Sequence, residues 1–334
     1  MQSSSKQEGL SEVDELRWGR LEDWVQLVRL PNVFTLLSNC VAASIIAVGD
    51  LSRLRVVIPL FCASVLAYWA GLILNDVNDL DEDIKHRPTR PLAAGRISPA
   101  LAGHVATGML MLVPVIVILA GYGGEMKWLA PAVICSCVLW LCIRLYNSAL
   151  KLTLLGPVLM GSCRSANIMM IGYGMLCGYA GTQLPDDQRL PHTLIAYALA
   201  VGVYICGITI YARREEQTSD QSSLALGTFL ELVGLITVGC IPMWEAGRMV
   251  AWRLGSSAYP VLIGLIGLTI LNRAVAGLIH PIPRKVQLAV KHAILTIIMI
   301  DASIVLMFAG EYYGVGTVLL LMPAVLGSLR IRTT

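Results

Sequence analysis

A succession of ten apolar blocks, each about 20 residues long, leaves this chain only one solvent to fold in. The blocks lie near 33–49, 55–75, 99–121, 128–146, 154–181, 192–212, 223–243, 258–279, 287–309 and 314–330. In lipid every backbone donor and acceptor must be satisfied within the protein, so apolar runs of this length read as helices. The predicted fold is all-α, a multi-pass transmembrane bundle of nine helices, or ten if the short final block is a full span rather than a half. Hydrophobic residues make up 56% of the chain and charged ones only 14%, too few to cover a water-soluble surface.

Lysine and arginine in the connections set the expected orientation, because basic loops stay on the cytoplasmic side. Arg29, Lys85, Arg87, Arg90, Arg96, Lys151, Arg213 and Arg214 are among those on one side, whereas the other holds only Arg53, Arg55, Lys127, Arg189, Arg248 and Arg253. The bias alternates with each crossing and predicts a cytoplasmic N-terminus. No low-complexity stretch divides the apolar region. The expected organisation is therefore a polar cytoplasmic segment over 1–30 and a single transmembrane domain over 31–334. The net charge of +3 is small and its basic residues scattered, which argues against a nucleic-acid partner. The nine cysteines lie in apolar blocks without C-x-x-C spacing and read as packing residues.

Chemistry concentrates where the second block ends. Tyr68-Trp69-Ala70-Gly71-Leu72-Ile73-Leu74 runs straight into Asn75-Asp76-Val77-Asn78-Asp79-Leu80-Asp81-Glu82-Asp83. If the helix continues at about 100° per residue, Asp76, Asp79 and Asp83 share an arc of roughly 60°, with Asp81 opposite. Clustered carboxylates repel one another unless a cation sits among them. Oxygen-only donors select a hard ion such as Mg²⁺, which favours phosphate oxygens. A merely solvated acidic end is the competing reading, but a helix C-terminus disfavours negative charge. Downstream, Lys85-His86-Arg87-Pro88-Thr89-Arg90-Pro91 supplies guanidinium forks that match phosphate. Such a loop also satisfies the positive-inside pattern; Arg87 and Arg90, nearest the aspartates in a proline-stiffened stretch, are the candidates.

The run Asn75-Asp76-x-x-Asp79-x-x-x-Asp83, followed by Arg90-Pro91-Leu92-x-x-Gly95, resembles the first signature of the UbiA superfamily of intramembrane prenyltransferases. Leu27-Val28-Arg29-Leu30-Pro31-Asn32 resembles that family's approach to its first helix. The resemblance implies a nine-helix bundle around a central cavity under a cytoplasmic cap, with two Mg²⁺ ions holding an isoprenoid diphosphate between two aspartate motifs. The second motif departs from the family's Asp-x-x-x-Asp after a tyrosine. Here the stretch is Tyr211-Ala212-Arg213-Arg214-Glu215-Glu216-Gln217-Thr218-Ser219-Asp220. In the register of Tyr211 the two positions are Glu215 and Ser219; shifted by one, Glu216 and Asp220 restore a carboxylate pair on one helical face. Arg213-x-Glu215, with Arg164-Ser165-Ala166-Asn167 in the fifth block, is similar to the EboC-like branch of the superfamily.

Arg164 lies deep in an apolar block, where an unpaired charge costs at least about 2.5 kcal/mol. It should face the cavity with Asn167 one turn on, partnered by diphosphate or by a carboxylate such as Glu231 or Asp301. Glu231, Arg273 and Asp301 read first as pairing residues between helices. Together these features predict catalytic roles for Asp76, Asp79, Asp83, Arg87 and Arg90. Substrate contacts are expected from Asn75, Arg164, Asn167, Tyr211, Arg213 and Glu215, and Mg²⁺ ligation from Asp76, Asp79, Asp83, Glu216 and Asp220. The expected reaction moves a prenyl group from an isoprenoid diphosphate to an aromatic or lipid-like hydrophobic acceptor within membrane lipid. Two alternatives stay open: a carrier or exporter of an isoprenoid or metabolite precursor, and a terpene cyclase on the same scaffold.

Overall fold

The computed structural model describes residues 17–29, 33–179, 191–215, 218–244 and 258–330. Among the described residues every regular element is helical: α1 (Leu21–Leu27), α2 (Val33–Val48), α3 (Leu54–Asn78), α4 (Leu80–His86), α5 (Pro99–Ala120), α6 (Met126–Tyr146), α7 (Leu155–Gly178), α8 (Pro191–Tyr211), α9 (Gln221–Trp244), α10 (Ala258–Ile279), α11 (Pro283–Ala309), α12 (Glu311–Leu319) and α13 (Leu321–Arg330). By length and hydropathy, α3, α5, α6, α8, α9, α10 and α11 can each cross a membrane. The 24-residue α7 gives up hydropathy to Arg164, Asn167 and its serines, which it turns inward. The final block, expected near 314–330, is broken into α12 and α13 at Leu320.

Local signals set the helix ends. Ser98 caps α5 by accepting from the Leu101 amide, and Pro99 takes the first helical position, where its missing N–H costs nothing. α11 likewise begins at Pro283, and Gly310, at φ +82°, ends it.

The helices form a closed circuit in which each packs on the next: α3, α5, α6, α7, α8, α9, α10, α11, α2 and back to α3. α2 also touches α7 through the middle. Small residues allow the closest approaches, as packing between helices in lipid requires. A Cβ on Gly161 would lie 2.3 Å from the Gly202 carbonyl oxygen, so α7 and α8 meet backbone to backbone, and Ser165 Oγ donates to the Ala198 carbonyl at 2.7 Å. Gly207 and Gly227 do the same between α8 and α9.

Where α2, α8 and α11 converge, the fully buried Asp301 carboxyl group accepts from Ser38 Oγ, Asn39 Nδ2 and the Tyr197 hydroxyl. The predicted pairing role of Asp301 is thus carried by neutral donors rather than by a cation. Arg273 is exposed on α10, and Glu231 is buried on α9 against Gly207.

Candidate active site

α2, α3, α6, α7 and α8 enclose a cavity of about 590 Å³. Its inner wall is apolar, with Leu36, Ala67, Leu139, Ile143 and Met160. Its mouth is formed by the end of α3, the loop after α4, the turn between α6 and α7, and the end of α8. Seven cationic side chains line the cavity as a whole, Arg29, Arg87, Arg90, Lys151, Arg164, Arg213 and Arg214, against two carboxylates, Asp79 and Glu215.

The first acidic motif does not continue as one helix. Asp79, at φ −90° and ψ 10°, ends α3 and opens α4. The break separates the three aspartates into two settings. Asp79 faces the cavity, where its carboxylate accepts from Asn75 Nδ2 at 2.9 Å and from the Lys151 ammonium, which also reaches Asn75 Oδ1 at 2.9 Å. Asp76 and Asp83 are buried beneath the mouth. Asp76 Oδ1 accepts from Arg29 Nη2 at 2.6 Å and from Arg90 Nη1 at 3.3 Å, and the same Arg90 nitrogen lies 2.7 Å from Asp83 Oδ2. Arg87 stands 3.7 Å from Asp83 Oδ1. The predicted trio on one helical face is therefore not assembled: Arg90 bridges two members and the third points elsewhere.

The loop after α4 holds this arrangement through its backbone. The Arg87 amide donates to the Asp83 carbonyl at 2.7 Å, the Arg96 amide donates to the Pro91 carbonyl, and Gly95 turns the chain at φ +66°. Arg29 sits at φ +46°, a left-handed conformation that costs an L-residue energy and that its bond to Asp76 helps to hold.

From the second motif, Arg213, Arg214 and Glu215 reach the cavity, and Arg213 Nη2 donates to the Leu152 carbonyl at 2.5 Å. Burial pushes the Glu215 carboxyl above the usual glutamate range, while the Arg87 guanidinium pulls it back. Tyr211 is buried away from the lining, its hydroxyl donating to the Ala274 carbonyl. Ser219 donates to the Arg214 carbonyl. The structure does not bring Asp220 to the cavity, because its carboxylate accepts from the Ser223 amide and hydroxyl at the start of α9. Glu216 lies outside the described residues.

Arg164 and Asn167 both line the cavity, as expected of inward-facing polar residues in α7. Neither Asp301 nor Glu231 forms an ion pair with Arg164 within the distances found elsewhere in the site. Lys151 is the residue that sequence reasoning missed. It reads only as a basic connection residue, and no spacing ties it to an aspartate 72 positions earlier.

Among the described residues no three acidic, histidine or cysteine side chains converge into a metal cage. Mg²⁺ does not require one, since it is usually held by one or two carboxylates plus substrate phosphates and water. Asn75, Asp79 and Glu215 present an all-oxygen donor set to one cavity, which fits a hard ion. Arginines engage Oδ1 of Asp76 and both oxygens of Asp83.

Comparison with known proteins agrees with this architecture. A 4-hydroxybenzoate octaprenyltransferase of Shewanella loihica is 32% identical over 117 residues, 31% of this chain and 41% of that relative's length. A digeranylgeranylglyceryl phosphate synthase of Ignicoccus hospitalis is 22% identical over 75% of this chain and 80% of its own length. Among solved structures, the apo form of a UbiA homolog from Aeropyrum pernix covers 82% of this chain and 97% of its own, with TM-score 0.61 and 18% identity. A UbiA homolog from Archaeoglobus fulgidus bound to DMAPP and Mg²⁺ covers 82% of this chain and 99% of its own, with TM-score 0.52 and 15% identity. These structural likenesses concern the fold. The profile of the UbiA prenyltransferase family matches residues 36–278, and the chain belongs to that family.

Proposed function

We propose that the chain transfers a prenyl group from an isoprenoid diphosphate to a hydrophobic acceptor, with Mg²⁺ and with release of diphosphate. The observation that carries this reading is one cavity whose mouth is lined by an excess of cations and whose inner wall is apolar. A substrate with a polyanionic head and a hydrocarbon tail matches both ends. The relative named as an octaprenyltransferase, the digeranylgeranylglyceryl phosphate synthase, and the homolog bound to DMAPP and Mg²⁺ support it.

In this mechanism Lys151, Arg87, Arg90, Arg213 and Arg214 receive the diphosphate head. As the allylic C–O bond breaks, negative charge grows on the departing diphosphate, and cations already fixed in place stabilise it without reorganisation. Asn75 and Asp79, with Glu215 from the end of α8, would hold Mg²⁺, which when bound neutralises further diphosphate charge. Arg29 and Arg90, anchored on Asp76, keep the floor of the mouth positive. Tyr68 and Tyr146 line the cavity beside Asn75 and Asp79, where their π-faces can stabilise an allylic cation. Apolar walls keep water from that cation while the acceptor attacks and gives up its proton. The basic connections around the mouth support a cytoplasmic orientation for it.

The test is to incubate purified protein and Mg²⁺ with a panel of prenyl diphosphates and a lipid extract, measuring released diphosphate and identifying products by mass. Asp79→Ala should abolish most of the release. Undiminished Mg²⁺-dependent release from that variant rejects the reading, a product formed without acceptor identifies cyclisation, and unchanged substrate moved across sealed vesicles identifies a carrier.

A further inference from the structure

One cation stands apart from the mouth. Arg164 lines the cavity from α7 together with Asn167, one turn further in, and with Ser64 of α3. Ser64 precedes Asn75 by eleven residues, which sets it about 16 Å from Asn75 along α3. Leu36, Ala67, Leu139 and Met160 border it.

The guanidinium is aimed. Arg164 Nη1 donates to Asn39 Oδ1 at 3.1 Å and to the Thr35 carbonyl at 3.5 Å. The orientation of the Asn39 amide is set from behind, because its Nδ2 donates to both Asp301 oxygens at 2.8–2.9 Å, leaving Oδ1 for the arginine. Ser38 and Tyr197 hold Asp301 from two other directions. Three helices, α2, α8 and α11, thus contribute to a mount that fixes one edge of a single side chain on a fourth. Its Nη2 and Nε have no partner among the described residues, and no described carboxylate is within ion-pair distance. Asn167 adds a second donor: its Oδ1 is taken by Ser64 Oγ at 2.7 Å, and its Nδ2 has only Cys40 Sγ at 3.9 Å.

A diphosphate in the mouth would have the six other cations of the lining available to it. A prenyl chain lying against Arg164 would leave guanidinium donors facing hydrocarbon, a costly arrangement in an apolar bundle. An arginine fork matches a planar or tetrahedral oxyacid. We propose that Arg164 and Asn167 bind an oxyacid group, carboxylate or phosphate, carried by the acceptor, making this patch the determinant of which acceptors are used. The proposal rests on the prenyl-transfer reading, and it makes Asn39 and Asp301 positioning residues.

The experiment measures binding to protein in lipid nanodiscs with two matched pairs of probes. One pair is 4-hydroxybenzoate and 4-hydroxybenzamide; the other is a single-chain glycerol phosphate lipid and its uncharged monoacylglycerol. Geranyl thiodiphosphate with Mg²⁺ is titrated separately. In the unaltered protein one of the two acids should bind at least about tenfold more tightly than its neutral twin, because a site built for a polar group rejects the analogue lacking it. The acid that binds identifies carboxylate or phosphate as the source. Arg164→Gln should bring that ratio to about 1, Arg164→Lys should retain part of it, and Asp301→Asn should lower it without changing affinity for the neutral twin. Affinity for geranyl thiodiphosphate should stay within about twofold in Arg164→Gln, which also reports that the variant is folded. The proposal is overturned if neither acid is preferred, or if Arg164→Gln keeps the preference and weakens thiodiphosphate binding tenfold, assigning Arg164 to the diphosphate. Failure of the unaltered protein to bind thiodiphosphate would instead refute prenyl transfer itself.

Discussion

Lys151, on the turn joining α6 to α7, donates its ammonium to Asp79 at the break between α3 and α4, tying together two walls of the cavity mouth. A lysine so placed can turn from carboxylate to phosphate when a diphosphate enters. Lys151→Met should therefore lower kcat/KM for prenyl diphosphate about 10²-fold, comparable to removing one fixed donor from a developing anion. Steady-state kinetics of diphosphate release check it, and a change confined to the acceptor's KM would contradict it.

Asp76 and Asp79 should separate by what their loss damages. Asp76 is 3% exposed and is the acceptor for two guanidinium groups, so Asp76→Ala leaves the partly buried Arg29 without its carboxylate and Arg90 with Asp83 alone, at about 3 kcal/mol. Asp79→Ala should cost far less, because Lys151 can turn towards the open mouth. Thermal unfolding in detergent distinguishes them: both variants lose turnover, and only the first also loses a large part of its thermal stability.

The two registers of the second motif make opposite demands. Asp220→Ala removes an acceptor at the start of α9 and should cost about 1 kcal/mol while retaining most turnover. Glu215→Gln should raise the Mg²⁺ concentration needed for half-maximal activity several-fold, as expected when one carboxylate of a small oxygen set is lost. A Mg²⁺ titration of the two variants decides between them.

Much of this arrangement was legible in the chain. The apolar blocks gave the helices, and the abrupt switch from Leu74 to Asn75 and Asp76 marked the head-group end, because residue type and short spacing carry that information directly. Asp79 was harder. Helical spacing alone projects it beside Asp76 and Asp83, but the backbone turns at Asp79 and Arg90 enters between the other two. The pairs Lys151 with Asp79 and Asn39 with Asp301 join positions 72 and 262 residues apart, and no local pattern encodes them. Double-arginine and double-glutamate at 213–216 left the second register open, since one assignment supplies Glu215 alone and the other the pair Glu216 and Asp220.

Gly161 allows a prediction about packing. Its Cβ would lie 2.3 Å from a backbone oxygen, which cannot move aside like a flexible side chain. Gly161→Val should force α7 away from α8, costing about 1–3 kcal/mol, and displace Arg164 one turn later. Loss of thermal stability together with loss of turnover is the expected outcome; Ala at Gly103, which has open space around it, serves as the control.

The closed circuit of helices has a consequence for α2. Its 16 residues rise about 24 Å, short of the roughly 30 Å of a hydrocarbon core. A lipid-facing helix of that length would thin the surrounding membrane or tilt its neighbours. α2 is instead walled in by α3, α7, α8 and α11, so its shortfall is met by protein rather than by acyl chains. Chain length here answers to the helix's neighbours, and the bilayer never measures it.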